Sequence, residues 1–161
     1  MLCRLTRFMP VAVLLGVFLI SGLLSPAAAD TKLYVKDGDS FVFGSQEIRL
    51  WGIDAVELHQ FCWKNGREYP CGQQARKHLV NLIDPDELRC EEKPRAKNET
   101  RTVAQCFVAA GDLADLMVRA GWAIDYGYFS HEFYRAAQIG KKGVWAGTFQ
   151  TPREWRKANK Y

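Results

Sequence analysis

Between residues 37 and 57 the chain carries the residue types that phosphoryl chemistry would use. Asp37-Gly38-Asp39-Ser40 places two carboxylates on a tight turn. The run Arg49-Leu50-Trp51-Gly52-Ile53-Asp54-Ala55-Val56-Glu57 then sets a cation and two more carboxylates around a turn-forming glycine. Asp39 and Asp54 have no histidine or cysteine beside them, and an oxygen-only pair suits a hard cation. In an exported chain that cation would be calcium, which extracellular modules bind at about 10⁻⁴–10⁻³ M. Taken alone, Asp-Gly-Asp is equally well explained as an ordinary turn. Arg49 interrupts an apolar strand, where an unpartnered charge would be costly, so a phosphate or a structural carboxylate must satisfy it. Arg101 is the second such cation, and two forked guanidiniums near a metal would stabilise the extra charge of a phosphoryl transition state. Glu57 stands where it could take a proton from an attacking water, although a surface glutamate is the commoner fate. Nucleophile chemistry has no comparable support: Gly-x-Ser-x-Gly and glycine-rich phosphate loops are absent, and His59, His78 and His131 are scattered.

The elements that must position these groups follow from periodicity. Leu33 and Val35 alternate with polar residues in a first strand, Phe41 to Phe43 form a second, and a third is expected from Glu47 to Ile53, making a meander. Residues 55–70 read as loop with a turn at Asn65-Gly66. Ala75, Leu79, Leu82 and Ile83 recur at helical spacing up to Asp84-Pro85, and Leu88 to Glu92 and Thr102 to Val108 read as a strand pair. Asp112 is an N-cap for a helix closed by Gly121, Trp122 to Tyr128 is extended, and a last helix spans His131 to Ile139. Beyond it lies a basic aromatic tail, Arg153-Glu154-Trp155-Arg156-Lys157. Strands first and helices later favour a small barrel flanked by helices.

Residues 1–29 are of another kind. Arg4 and Arg7 precede an apolar run from Val11 to Leu24, and Ala27-Ala28-Ala29 offers small residues for cleavage, so this segment reads as a secretory signal peptide with one domain over 30–161. The run falls short of the roughly 20 apolar residues of a membrane span. Cleavage would lower the net charge from +4 to +2, since it removes two basic and no acidic residues. So small an excess does not by itself indicate a polyanionic partner. Cys3 would leave with the signal, and Cys62, Cys71, Cys90 and Cys106 would remain, an even number that suits two disulfides in an exported domain. The favoured pairs are Cys62 with Cys71, closing a short loop, and Cys90 with Cys106, facing each other across a hairpin.

The combined motifs resemble the thermonuclease, or staphylococcal nuclease-like, family, especially its small exported bacterial members. Besides the two stretches above, the likeness rests on Cys71-Gly72-Gln73-Gln74-Ala75, Arg101-Thr102-Val103-Ala104, Met117-Val118-Arg119-Ala120-Gly121-Trp122-Ala123 and Gly143-Val144-Trp145-Ala146-Gly147-Thr148-Phe149. The resemblance implies a mainly β, α+β fold, with a five-stranded OB-type barrel and about three helices. It also implies a calcium-dependent endonuclease acting on DNA and RNA as a monomer, without stable membrane association after signal cleavage. Asp39, Asp54 and the carbonyl of Ala55 match the metal ligands, Arg49 and Arg101 the phosphate-binding arginines, and Glu57 the glutamate cast as general base. Tyr126 and Tyr128 fall near substrate-contacting tyrosines. Two departures stand out: Val56 replaces a usual proline, and Lys97-Asn98-Glu99-Thr100 replaces the usual Asp-x-Tyr-Gly before the second arginine. The rival readings are a non-catalytic OB-type binding module and an accessory protein of exopolysaccharide biosynthesis built on the same fold.

Overall fold

The computed structural model describes residues 32–127 and 131–160, with the side chains of 131–133 excepted. The expected signal peptide and Tyr128 lie outside the described residues. Strands β1 (Leu33–Val35), β2 (Ser40–Phe43) and β3 (Gln46–Leu50) form the expected antiparallel meander. After β3 come β4 (Ile53–Ala55), a hairpin of β5 (Cys62–Lys64) and β6 (Arg67–Tyr69), and helix α1 (Cys71–Leu82). Next are β7 (Arg89–Glu92), β8 (Thr102–Val108), the short β9 (Gly111–Asp112) and helix α2 (Leu113–Arg119). The chain ends with β10 (Ala123–Asp125), α3 (His131–Ile139), a 3₁₀ turn at Gly143–Ala146 and α4 (Pro152–Asn159).

The main sheet runs β1-β2-β3-β8-β7, with β9 also on β8, and β3 meets β8 in parallel. This is the α+β, OB-type architecture expected. Alternation decides which residues face the core: Ile48 and Leu50 of β3 are buried, as are Ala104, Cys106 and Val108 of β8. Arg49, between Ile48 and Leu50, therefore projects from the other face of β3. Helix α1 covers the core with Cys71, Ala75 and Leu79, and α2 with Leu113, Ala114, Met117 and Val118. Asp112 caps α2 as expected, its Oδ1 accepting from the Ala114 amide at 2.8 Å.

Both expected disulfides are present, Cys62–Cys71 and Cys90–Cys106. Three expectations need correction. The third strand does not run through to Ile53: Gly52 has φ 83°, a left-handed conformation that turns the chain, and β4 leaves the meander to pair with β10. Residues 55–70 are not all loop, because Asn65 (φ 52°) and Gly66 (φ 73°) build the tight turn of the β5–β6 hairpin. Among the described residues a fourth α-helix, α4, follows where only a basic aromatic tail was expected, started by Thr151 and Glu154 in a reciprocal capping box with Pro152 in the first turn.

Candidate active site

Asp39 ends the loop before β2 and is 4 % exposed. Its Oδ2 accepts from the Ala55 amide (3.0 Å), and its Oδ1 accepts from Ser40 Oγ (2.9 Å) and Arg49 Nη1 (3.3 Å). These contacts sew the β1–β2 turn to β4. Burial, with Asp37 and Asp54 nearby, pushes the Asp39 carboxyl up to about 6 against the pull of Arg49 and the Ala55 amide. Asp54, on β4, is 2 % exposed and receives Arg49 Nη2 at 3.1 Å. Arg49 thus bridges the two aspartates, which is the structural answer to a cation placed on an apolar strand.

Arg101 enters at the start of β8, where β3 and β8 run side by side. Its Nε and Nη2 donate to the two oxygens of Glu99 (2.8 and 2.7 Å), and its Nη1 donates to Ser40 Oγ (3.0 Å). Glu99 belongs to the segment that departs from the family pattern, yet it supplies a forked partner for the arginine. The Arg101 guanidinium in turn holds the Glu99 carboxyl down at about 2. Arg49, Asp39, Ser40 and Arg101 therefore form one connected chain of polar contacts.

Besides Glu99, sequence reasoning missed Arg156. Delivered by α4, it donates Nη1 to Asp54 Oδ1 (2.9 Å) and Nη2 to Oδ2 (2.8 Å), and Nη1 also donates to Glu57 Oε1. Burial raises the Asp54 carboxyl, but hydrogen bonds from Arg156 and from the Tyr126 hydroxyl, with the charges of Arg156 and Arg49, leave it below the usual range. Burial likewise raises Glu57, and here burial wins against Arg156. Tyr126 reaches the site as a partner of Asp54, and its phenol is pushed up to about 12 by burial and by that carboxylate. The loop holding Glu57 is fixed by Gln60, whose Oε1 accepts from the Glu57 amide (3.1 Å) while its Nε2 donates to the Gln150 carbonyl (2.6 Å). The signal for α4 was in the sequence, as the Thr151-Pro152-x-Glu154 pattern that opens a helix. Nothing local named its partners, which lie 102 and 99 residues away.

Asp39, Arg49, Ala55, Glu57, Arg101 and Arg156 all line one cavity of about 740 Å³. Among the described residues no three His, Cys, Asp or Glu side chains are gathered into a ready-made metal cluster. The donors present, two carboxylates and a backbone carbonyl, nevertheless fit a hard cation by type. Access to Asp54 requires Arg156 to withdraw, since its two Nη atoms engage both carboxylate oxygens.

A mixed, OB-type sheet with its polar cluster at the ends of β3, β4 and β8 defines a nuclease-type fold. Residues 47–147 match the model of the family described as staphylococcal nuclease homologue, and the chain belongs to that family. Asp39 and Arg156 fall on either side of the matched stretch. No curated protein matches the chain.

Proposed function

We propose that the protein is an exported, calcium-dependent endonuclease that hydrolyses phosphodiester bonds of DNA and RNA. The observation that carries this reading is the shared cavity, lined by Arg49, Arg101, Asp39 and Glu57, with Asp54 joined to its lining through Arg49 and Arg156. Arg49 and Arg101 bind and orient the phosphate. Glu99 holds the Nε edge of Arg101, so that Nη1 is directed toward Ser40 and the cavity. A calcium ion held by Asp39, Asp54 and the Ala55 carbonyl would supply positive charge to the phosphate oxygens. Glu57, raised by burial, is a stronger base than a solvated carboxylate. It takes the proton of a water whose oxygen attacks phosphorus, and the bond to the leaving sugar oxygen breaks as that oxygen takes up a proton from solvent water. The family likeness supports a product ending in a 3′-phosphate. Two disulfides support folding in an oxidising compartment, consistent with cleavage of residues 1–29 and export to the periplasm or medium. Among the described residues no helix is long and apolar enough to cross a membrane.

The test is hydrolysis of single-stranded DNA and RNA by the disulfide-intact protein, with calcium and then with chelator. Calcium-dependent cleavage that falls by about a hundred-fold or more in Glu57→Gln and in Arg49→Ala is expected. A folded protein that cleaves nothing at millimolar calcium would refute the reading. One observation favours a second reading, a binding module: Arg156 neutralises Asp54 and Glu57 within the chain itself. That reading predicts nucleic-acid binding that is indifferent to calcium.

A further inference from the structure

Next to the phosphate cavity lies a groove of about 540 Å³ with a different chemistry. Its floor holds Phe61 and Trp63, each 50 % exposed, with the buried Cys62 between them. Alternation along an extended chain turns both rings outward on one face. Single exposed apolar residues are ordinary, but two large aromatics in one groove are not. Their platform is stiff: Cys62 is disulfide-bonded to Cys71, and Trp63 exchanges two backbone hydrogen bonds with Thr148 (2.9 and 2.8 Å).

The two depressions divide the parts of a nucleotide between them. The cavity is lined by Lys36, Arg49, Arg101 and Arg156, which suit phosphate. The groove has no lysine or arginine among its described lining residues, and it carries Glu68, which repels phosphate. Instead it offers aromatic faces together with Thr148, Gln150 and Asn159, groups able to hydrogen-bond base edges. His59 and Trp155 line both depressions, so the groove begins where the phosphate site ends.

We infer that this groove is a nucleobase subsite, in which bases next to the gripped phosphate stack on Phe61 and Trp63. The inference rests on the phosphodiesterase reading and narrows its substrate to single-stranded nucleic acid. Bases in a duplex are stacked on one another and present no free face to a protein ring, whereas an unpaired strand does. Stacking on rings tolerates any base, so the subsite confers strand preference without sequence preference.

The experiment compares fluorescently labelled octathymidylate with an abasic octamer of the same backbone, binding to the disulfide-intact chain in a Glu57→Gln background. Both rings are half exposed, so Phe61→Ala and Trp63→Ala should leave the melting temperature nearly unchanged. The expected result is a loss of about ten-fold per ring for octathymidylate and none for the abasic strand, with Trp63→Phe keeping most of the affinity. Equal losses on both probes, or no loss on either, would overturn the inference; the latter would indicate that the groove takes another partner, such as a peptide. Hydrolysis of bis(p-nitrophenyl) phosphate by the chain with Glu57 intact separates the two readings. If that diester is not cleaved while the two probes are still discriminated, the nuclease reading fails and the base subsite stands. If it is cleaved and the ring variants bind both probes like the parent, the subsite fails and the nuclease reading stands.

Discussion

Replacing Arg156 with methionine removes a guanidinium that engages both oxygens of Asp54 and one of Glu57, while keeping an unbranched apolar stem. The Asp54 side chain is 3 % exposed, so its charge cannot be recovered by water. The full cost of orphaning a buried ion, about 3–5 kcal/mol, is not expected. The Arg156 side chain is 31 % exposed and screened by solvent, and Arg49 remains 3.1 Å from Asp54. A loss of about 2 kcal/mol is the reasonable figure, which lowers the melting temperature by about 4–8 °C for a chain of this size. The same 2 kcal/mol opposes any cation that needs Asp54, weakening its affinity in the parent about 30-fold relative to the variant. If the variant binds calcium at about 10⁻⁴–10⁻³ M, calcium at about 10 mM stabilises it by about 1.4–2.7 kcal/mol. The parent gains under about 1 kcal/mol. Thermal or denaturant unfolding of both proteins, with calcium and with chelator, reads all four values, and calorimetric titration reads the affinities directly. A variant as stable as the parent in chelator would show that the ion pair contributes nothing. Equal calcium stabilisation of the two proteins would show that Arg156 and the cation do not compete for Asp54.

Opening each disulfide by a Cys→Ser pair should cost about 2.5 kcal/mol for Cys62–Cys71 and about 3 kcal/mol for Cys90–Cys106, from the loop each closes, as measured by denaturant unfolding. Glu99 has its folded-state carboxyl held near 2 against an ordinary 4.5, so its contribution is present above about pH 4.5 and is lost as pH falls through about 2. The stability difference between parent and Glu99→Gln should accordingly be constant near neutrality and shrink across that window; a difference independent of pH would refute the assignment. Gln60→Met leaves the Glu57 amide and the Gln150 carbonyl without their side-chain partner, and should lower unfolding free energy by about 2 kcal/mol and reduce turnover more than substrate affinity.

Legibility in the sequence followed the range of the interactions. The meander, the β7–β8 pair, α1 and α2 were readable because their apolar periods and caps are local, and the cysteine pairs because their even number and short loops constrain them. Asp39, Arg49, Asp54, Glu57 and Arg101 could be named in advance, and they line or border one cavity. The break at Gly52 was hidden because Ile48, Leu50 and Ile53 keep an apolar pattern across a turn that only a left-handed glycine discloses. The β5–β6 hairpin was hidden because Trp63, Lys64, Arg67 and Glu68 are all exposed, and two three-residue strands with Cys62 as the one buried side chain are too short to show a period. Arg156 and Glu99 were missed for a further reason. A helix cap announces that a helix exists, and a changed segment announces a departure, but neither says which distant charge will be met.

Those missed residues alter how the site is built. The family match ends at Gly147, yet the side chain holding both Asp54 and Glu57 comes from beyond it. Helix α4 is anchored through a short chain of contacts: Trp63 bridges Thr148, and Gln60 reaches the Gln150 carbonyl while receiving the Glu57 amide. Cys62 ties this hairpin to Cys71 at the start of α1, and the Gly72 amide donates to the Gln60 carbonyl at 3.1 Å. A Cβ on Gly72 would run into the carbonyls of Glu57 and Leu58, so the helix start can press against the Glu57 loop only as glycine. The Cys62–Cys71 disulfide therefore sits where the position of Glu57, the anchorage of Arg156 and the aromatic groove are all set. Its reduction should loosen the three together, while the Cys90–Cys106 bridge, on the β7–β8 pair, should affect stability with little effect on Glu57.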